Sequence, residues 1–201
     1  MKTAILTALL TIVSAATARA ANPIVVMETS MGPIKIELFE DKAPGTVQNF
    51  LAYVNDKHYD GTIFHRVIGK PNSDRDFMIQ GGGFGPDKKE KPTKEPIQNE
   101  STNNLSNTRG TIAMARLNAP NSAAAQFYIN LVDNTYLDRA NARDKVGYCV
   151  FGKVLEGMDV VDKIKEVKIG EATLETKSGP DKSNTVPVEN VIIKSVTRVE
   201  K

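Results

Sequence analysis

One cation and one amide stand among large apolar residues in two short segments that predict β-strands. The first segment is Phe64-His65-Arg66-Val67-Ile68, and the second begins nine residues later as Phe77-Met78-Ile79-Gln80-Gly81-Gly82. Arg66 stays charged at physiological pH and presents a rigid fork of N–H donors. Neither segment carries an obvious nucleophile or a cluster of metal ligands. The combination favours a site that binds an apolar group and polarises it without breaking a covalent bond.

Each of these residues also has an ordinary structural interpretation. An isolated arginine on a strand is usually a surface residue. Gln80 can be a strand residue bonded to the backbone, and Phe77 and Met78 can belong to the core. His65 is as compatible with a structural role as with a binding role, and we assign it no acid–base chemistry. The concentration of apolar residues around one charge favours a binding site over a surface arginine.

Strands dominate the rest of the sequence. Apolar and charged residues alternate over Ile34-Lys35-Ile36-Glu37-Leu38, which is typical of a half-buried strand. Further strands are predicted for residues 24–28, 110–115, 126–130, 146–154 and 188–199. Residues 85–94 and 171–187 are polar and rich in turn formers, so we predict solvated connections there rather than binding loops.

Two amphipathic helices interrupt the strands. Pro44 suits a first helical turn, and it is followed by apolar residues on one helical face, namely Val47, Phe50, Leu51 and Val54. A second face is formed by Met158, Val161 and Ile164. Many strands with two separated helices predict a mainly β fold, an antiparallel barrel whose ends the helices cover.

The first twenty residues have the three regions of a secretory signal peptide. Lys2 gives a positive start, residues 4–16 form an apolar run, and Ala18-Arg19-Ala20 offers small residues for cleavage. The apolar run is too short to span a membrane comfortably. We therefore predict a signal peptide over residues 1–20 and a single exported domain over residues 21–201.

Removal of this leader makes the chain formally neutral. The full sequence has 26 basic and 24 acidic residues, and loss of Lys2 and Arg19 leaves 24 of each. A neutral domain offers no electrostatic basis for binding nucleic acid or an anionic membrane. Cys149 is the single cysteine, so an intrachain disulfide is excluded. A buried structural thiol is favoured over a reactive one, because nothing nearby in sequence would clearly lower its pKa.

Several segments resemble, in order along the chain, motifs of the cyclophilin family of peptidyl-prolyl isomerases. They are the two segments above with Gly110-Thr111-Ile112-Ala113-Met114-Ala115, Gln126-Phe127-Tyr128-Ile129-Asn130 and Val150-Phe151-Gly152-Lys153-Val154. Thr46-Val47-Gln48-Asn49-Phe50 and Gly157-Met158 extend the resemblance over residues 24–199. The leader, Gly82-Gly83-Phe84 and residues 107–116 are most similar to periplasmic bacterial members.

The resemblance implies a fold and an activity. The fold would be a closed eight-stranded antiparallel barrel capped by two α-helices. The activity would be rotation about the X–Pro bond in exported or unfolded proteins, achieved by binding the twisted amide without covalent chemistry. No cofactor and no metal are implied. We expect a periplasmic monomer whose partners are proline-containing polypeptides, with no nucleic acid and no membrane after signal cleavage.

The resemblance also implies roles for individual residues. Arg66 matches the catalytic arginine, and Gln80 matches the glutamine that orients Arg66 and the substrate. The proline pocket would be walled by Phe77, Met78, Tyr128 and Leu137. The groove for the substrate backbone and the residue before proline would be lined by Ala115, Arg116 and Gln126. Further substrate contacts are implied for His65, Tyr136 and Tyr148.

Three features depart from the family pattern. Tyr128 replaces the usual phenylalanine, so its hydroxyl needs a partner or must point past the proline ring. Tyr136 stands where many cyclosporin-sensitive members have tryptophan, and Tyr148 stands at a nearby histidine position, so we expect weak cyclosporin binding. Residues 69–76 make this link about six polar residues longer than usual. It is either a neutral surface insertion or a loop that shapes substrate access.

Two other function classes stay open from sequence alone. A non-catalytic peptide-binding or chaperone module could use the same fold, although the presence of Arg66 argues against it. A ligand-carrying barrel like a lipocalin fits the glycine clusters and the apolar residues around Arg66 less well. An isomerisation assay on a proline peptide separates the three classes.

Overall fold

A computed structural model describes residues 21–199, and the predicted signal peptide lies outside this range. Ten strands occur in chain order, and eight of them form one antiparallel sheet in the order β10-β1-β2-β7-β5-β6-β4-β3. The strands are β1 (Ile24–Thr29), β2 (Gly32–Leu38), β3 (Phe64–Ile68), β4 (Met78–Gly81), β5 (Thr111–Met114), β6 (Phe127–Asn130), β7 (Val150–Glu156), β8 (Ile169–Thr176), β9 (Gly179–Pro187) and β10 (Ile193–Arg198). The fold is therefore mainly β, as predicted.

The eight-stranded sheet is an open half-barrel, which shows that the predicted closed barrel was wrong. Strands β3 and β10 lie at the two ends of the strand order. Near the start of both strands, Phe64 N donates to Val191 O at 3.0 Å and Ile193 N donates to Thr62 O at 2.8 Å. These contacts do not continue as a ladder, because β9 packs beside β3 in place of β10. The gap is thus covered by a hairpin rather than closed by strand pairing.

That hairpin also corrects the prediction for residues 171–187, which are not a solvated connection. Strands β8 and β9 pair from Ile169–Pro187 to Thr176–Gly179. The hairpin buries Leu174 and Val186 against Ile63 and Phe84. Residues 85–94 run along it, with Glu90 N donating to Glu175 O at 2.8 Å. The few apolar residues of the hairpin are sufficient to hold it on the sheet, because it covers only this one small cluster.

Both predicted helices are present, as α1 (Pro44–Asn55) and α2 (Met158–Lys165). Helix α1 has no cap from its own sequence. Glu100 supplies one from a distant loop, because its carboxylate accepts bonds from Gly45 N at 3.1 Å and Thr46 N at 2.7 Å. A carboxylate at a helix N-terminus satisfies free N–H groups and interacts favourably with the helix dipole. No helix in the described range is long and apolar enough to cross a membrane.

Helix α1 contributes its buried face to the main core. Phe50 is fully buried, and its ring centroid lies 5.0 Å from Tyr59, 5.9 Å from Phe127 and 5.3 Å from Phe151. Cys149 is buried at the edge of this core, and burial raises the pKa of its thiol to about 11. The predicted structural thiol is confirmed in its burial, and the thiolate needed for reactivity is strongly disfavoured.

Candidate active site

The strand register places Arg66 and Gln80 side by side. Arg66 on β3 pairs directly with Gln80 on β4, and Gln80 in turn pairs with Tyr128 on β6. Arg66 Nη1 donates to Gln80 Oε1 at 3.3 Å, and Gln80 Nε2 donates to Gln126 Oε1 at 2.8 Å. Directly paired residues share a face of the sheet. Arg66 is therefore held on the same face as Tyr128, opposite the face that packs on α1.

The Arg66 charge is available to a ligand. Partial burial lowers the pKa of Arg66, while Tyr148 and then Asp181 of β9 act in the opposite direction. Arginine remains protonated at neutral pH even so. Within residues 21–199, Arg66 has no ion-pair partner, and the residue as a whole is exposed even though its guanidinium is partly shielded. Sequence reasoning did not anticipate Asp181, because it lies on the hairpin that was predicted as a solvated connection.

An apolar cluster lies on this face of the sheet, at the position where the resemblance implies the proline pocket. Met78 and Tyr128 are buried in a cluster with Ala113 and Val150, separate from the main core. Partly buried residues at its edge are Ile68, Phe77, Leu105, Ala115, Leu137 and Tyr148. The structure therefore brings together all four residues predicted for the proline pocket. A dry apolar wall beside a charged donor strengthens the electrostatic interactions of that donor.

The Tyr128 hydroxyl has a partner that the sequence did not reveal. Tyr128 Oη donates to Asn107 Oδ1 at 2.7 Å, so the hydroxyl is satisfied within the protein. Asn107 is fully buried, and both its backbone N and its side-chain Nδ2 donate to Asp138 Oδ1, at 2.7 and 2.9 Å. An asparagine in a polar segment predicts a turn rather than a buried contact. Asn107 therefore supports the pocket wall from behind.

Arg116 lies beside the predicted groove, but its N–H donors are bound to acceptors of the protein itself. Its side chain is 4% exposed, and its Nε donates to Gly147 O at 3.0 Å. Its Nη2 pairs with Asp144, and its Cζ lies 4.5 Å from the Tyr148 ring centroid. The backbone N–H groups of Gly147 and Val146, and then Arg116, hold the pKa of Asp144 at about 2. These contacts make Arg116 a support for Tyr148, with few donors left for a substrate.

Ala115 and Gln126, which are predicted to line the groove, lie side by side. Ala115 N donates to Gln126 O at 3.0 Å, and the Gln126 side chain ends the hydrogen-bonded series that begins at Arg66. At the other end of the apolar cluster, Tyr136 stacks on Phe77 with ring centroids 6.2 Å apart and 25° between the planes. Tyr136 is 48% exposed, so it lies at the surface beside the cluster rather than inside it.

Residues 24–198 match the family described as cyclophilin type peptidyl-prolyl cis-trans isomerase. The chain belongs to the cyclophilin family. It is 54% identical over 174 residues to peptidyl-prolyl cis-trans isomerase B of Escherichia coli, covering 86% of this chain and 98% of that protein. It is 45% identical over 192 residues to peptidyl-prolyl cis-trans isomerase A of Dickeya dadantii, covering 96% and 93%.

Solved structures agree on the fold. A Cryptosporidium parvum cyclophilin type isomerase superposes with a TM-score of 0.68 at 24% identity, covering 90% of this chain and 99% of that one. A second crystal structure of that protein was determined in the presence of the dipeptide Ala-Pro, with the same TM-score.

His65 does not titrate near neutral pH in this cyclophilin. It is 3% exposed, and its ring centroid lies 4.5 Å from that of Phe84. Burial lowers the pKa of His65 to about 4, although interactions with the Ile63 backbone and the Gln126 side chain oppose the shift. The imidazole is therefore neutral at pH 6 and above. Its burial leaves little of its surface for the substrate contact that the resemblance implies.

Proposed function

We propose that this cyclophilin isomerises X–Pro bonds of exported polypeptides, with Arg66 as its catalytic residue. The observation that carries the proposal is the hydrogen-bonded series Arg66–Gln80–Gln126 beside the apolar cluster that contains Phe77, Met78, Tyr128 and Leu137. One end of the series is an unpaired cation, and the other end lies at the backbone groove. A proline ring in the pocket would therefore place its preceding amide within reach of a fixed donor.

The chemistry follows from the electronic structure of the amide. Resonance gives the C–N bond partial double-bond character, with a rotation barrier of about 20 kcal/mol. In the twisted form, resonance is lost and the lone pair is localised on the proline nitrogen. A guanidinium N–H aimed at that nitrogen stabilises the twisted form more than either planar form, which is the condition for catalysis. Gln80 would hold the Arg66 fork in place.

The cellular setting is part of the same proposal. The three-part pattern of residues 1–20 supports export, and the resemblance to periplasmic members supports the periplasm as the destination. We propose a mature chain of residues 21–201 that acts as a monomer on proline-containing polypeptides and binds neither nucleic acid nor membrane. Intact-mass measurement of the protein from a periplasmic extract tests the predicted signal cleavage, since the mature chain must then begin at Ala21.

An isomerisation assay on a proline peptide tests the function directly. Exchange spectroscopy by NMR measures the rate of cis–trans interconversion without a coupled protease. Catalysis at substoichiometric enzyme supports the proposal. Peptide binding without acceleration would indicate a non-catalytic binding module instead.

The rate should be nearly constant from about pH 6 to pH 8 and unaffected by a metal chelator. Arg66 stays protonated throughout this interval, and the His65 pKa of about 4 keeps its imidazole neutral. The described residues contain no group of three or more His, Cys, Asp or Glu side chains suited to a metal ion. A bell-shaped profile near neutrality, or loss of turnover on chelation, would contradict the mechanism. A pH titration with and without chelator is sufficient.

Changing Tyr136 to tryptophan should tighten cyclosporin inhibition by about 5- to 30-fold, the scale of one hydrogen bond plus extra buried ring area. Tyr136 stacks on Phe77 at the rim, so a larger ring there extends an existing apolar surface. An indole also supplies an N–H donor that a phenol does not place in the same way. Inhibitor titrations of both proteins measure the effect. Equal, tight inhibition of wild type and variant would show that this position does not limit drug binding.

A further inference from the structure

Residues 69–76, which join β3 to β4, form a loop that is fixed to the rest of the protein. Asn72 Nδ2 donates to the carbonyl oxygens of Glu166 and Val167 at 3.0 and 2.9 Å, just beyond α2. Asp76 accepts a bond from Lys70 N at 2.7 Å and pairs with Lys165 at 3.6 Å. The loop is thus tied at its middle and across its base. This argues against a neutral surface insertion.

The loop places Arg75 beside Phe77, a residue predicted to wall the proline pocket. The Arg75 Cζ lies 5.3 Å from the Phe77 ring centroid, within the range of a cation–π contact. Phe77 stacks on Tyr136. Burial raises the pKa of Tyr136 and the Arg75 charge opposes that rise, so the guanidinium acts on the Tyr136 hydroxyl as well.

The Arg75 guanidinium has N–H donors that are available to bind a ligand. Within residues 21–199 it makes no ion pair, and Arg75 is exposed. The neighbouring carboxylates do not occupy it, since Asp76 is bound to Lys165 and Lys70 N, and exposed Asp74 forms no ion pair with it. A cation–π contact restrains the planar fork while leaving its edge open to solvent. That edge matches a carboxylate in both geometry and charge.

Under the proposed function, the register of β4 indicates which part of a substrate would meet Arg75. Gln80 is bonded to Gln126 at one end of the strand, whereas Phe77 and the loop lie at the other end. Under the proposed function, the residue before proline lies at the Ala115–Gln126 end and the proline ring lies between. The residue after proline therefore leaves the pocket past Phe77 and Tyr136, towards Arg75.

We propose that Arg75 is a specificity-determining residue that recognises a carboxylate on the residue following proline. The inference rests on the proposed function for the direction of the bound peptide. It makes X-Pro-Glu and X-Pro-Asp sequences preferred substrates over their amide counterparts. The contact lies at an exposed rim, so it selects among substrates without being required for the bond rotation itself.

The test compares two peptides, Ala-Ala-Pro-Glu and Ala-Ala-Pro-Gln, with blocked ends. At low ionic strength, wild type should show a kcat/KM about three- to fivefold higher for the Glu peptide, and added salt should reduce the ratio. In Arg75→Gln the ratio should fall to about one. In Arg75→Glu a Lys peptide should become preferred over the Gln peptide. Lys70→Gln, which removes the same charge from the same loop, should keep the wild-type ratio.

Each deviation from these results has a distinct meaning. A wild-type ratio near one, or a ratio that survives Arg75→Gln, would overturn the assignment of Arg75. Peptide affinities measured by NMR titration provide a readout that does not depend on catalysis. An inactive wild type that still binds the Glu peptide more tightly, with the preference lost in Arg75→Gln, would overturn the proposed function and support the Arg75 assignment.

Discussion

Replacing Arg66 by alanine should lower kcat/KM for isomerisation by a factor of about 100 or more. The lost group is a charged donor that acts mainly on the twisted amide, so the reduction should be in kcat rather than in KM. Folding should be little affected, since the exposed side chain of Arg66 makes a single hydrogen bond, to Gln80 at 3.3 Å. Exchange spectroscopy gives the rates, and a thermal unfolding curve checks the fold.

Two further variants sharpen this test. Arg198→Ala removes an exposed arginine from β10, away from the pocket, and should leave turnover unchanged. Arg66→Lys keeps a charge but loses the rigid fork, so its rate should fall between those of wild type and Arg66→Ala. Near-normal turnover in Arg66→Ala, with the fold intact, would mean that Arg66 is not the catalytic donor.

Single elements were predictable wherever local pattern determined them. The segments around Arg66 and Gln80 are short, apolar and separated by a turn-forming link, so both were predicted as strands, whereas their pairing was not predicted. The helical face of Val47, Phe50, Leu51 and Val54 is likewise buried, as its spacing indicated. In both cases, the periodicity of side chains within one element carried the information.

Long-range contacts were not predictable in the same way. The half-barrel stays open because β9 occupies the position beside β3, and β9 carries few apolar residues of its own. Its strand character depends on a small cluster formed with Ile63 and Phe84, which are distant in sequence. No local pattern within residues 171–187 predicts that cluster. The same applies to Glu100, whose capping of α1 joins groups about fifty-five positions apart in sequence.

Polar residues at the site show this limit most clearly. Arg116 was expected to face the substrate, yet its donors are bound to Gly147, Leu117 and Asp144. Whether an arginine faces a ligand or a loop depends on which acceptors the tertiary fold supplies. The sequence does not show which acceptor an arginine will bind when the candidates are backbone carbonyls, which every residue has, or one carboxylate distant in sequence. The roles of the buried side-chain amides behind the predicted pocket could not be predicted from sequence for the same reason.

Those amides form one connected network beneath the proline pocket. Asn107 Oδ1 accepts from Tyr128 Oη at 2.7 Å and from Asn130 Nδ2 at 3.4 Å. Asn134 Nδ2 donates to Asn130 Oδ1 at 2.8 Å and to the Phe77 carbonyl at 2.9 Å. Asn107, Asn130 and Asn134 are all buried. The network thus connects two residues of the pocket wall, Tyr128 and Phe77, through side chains that never meet solvent.

Replacing Asn107 by alanine should therefore lower the free energy of unfolding by about 2–4 kcal/mol, since each buried polar group left without a partner costs about 1–3 kcal/mol. Tyr128 would lose its hydroxyl acceptor, and Asp138 would lose one side-chain donor. Urea denaturation at constant m-value measures the loss. KM should also rise, because Tyr128 would no longer be held against the pocket.

A double-mutant cycle with Tyr128→Phe separates the hydroxyl bond from the rest of the network. The phenylalanine variant should cost about 0.5–1.5 kcal/mol alone, the usual net value of one hydrogen bond. In the Asn107→Ala background the same change should cost nothing or restore some stability, because it removes a buried hydroxyl that has already lost its partner. Simple additivity of the two changes would contradict the coupling between Tyr128 and Asn107. A loss below about 0.5 kcal/mol for Asn107→Ala would place it in the range of an ordinary surface residue, and the pocket wall would then have to be held by apolar packing alone.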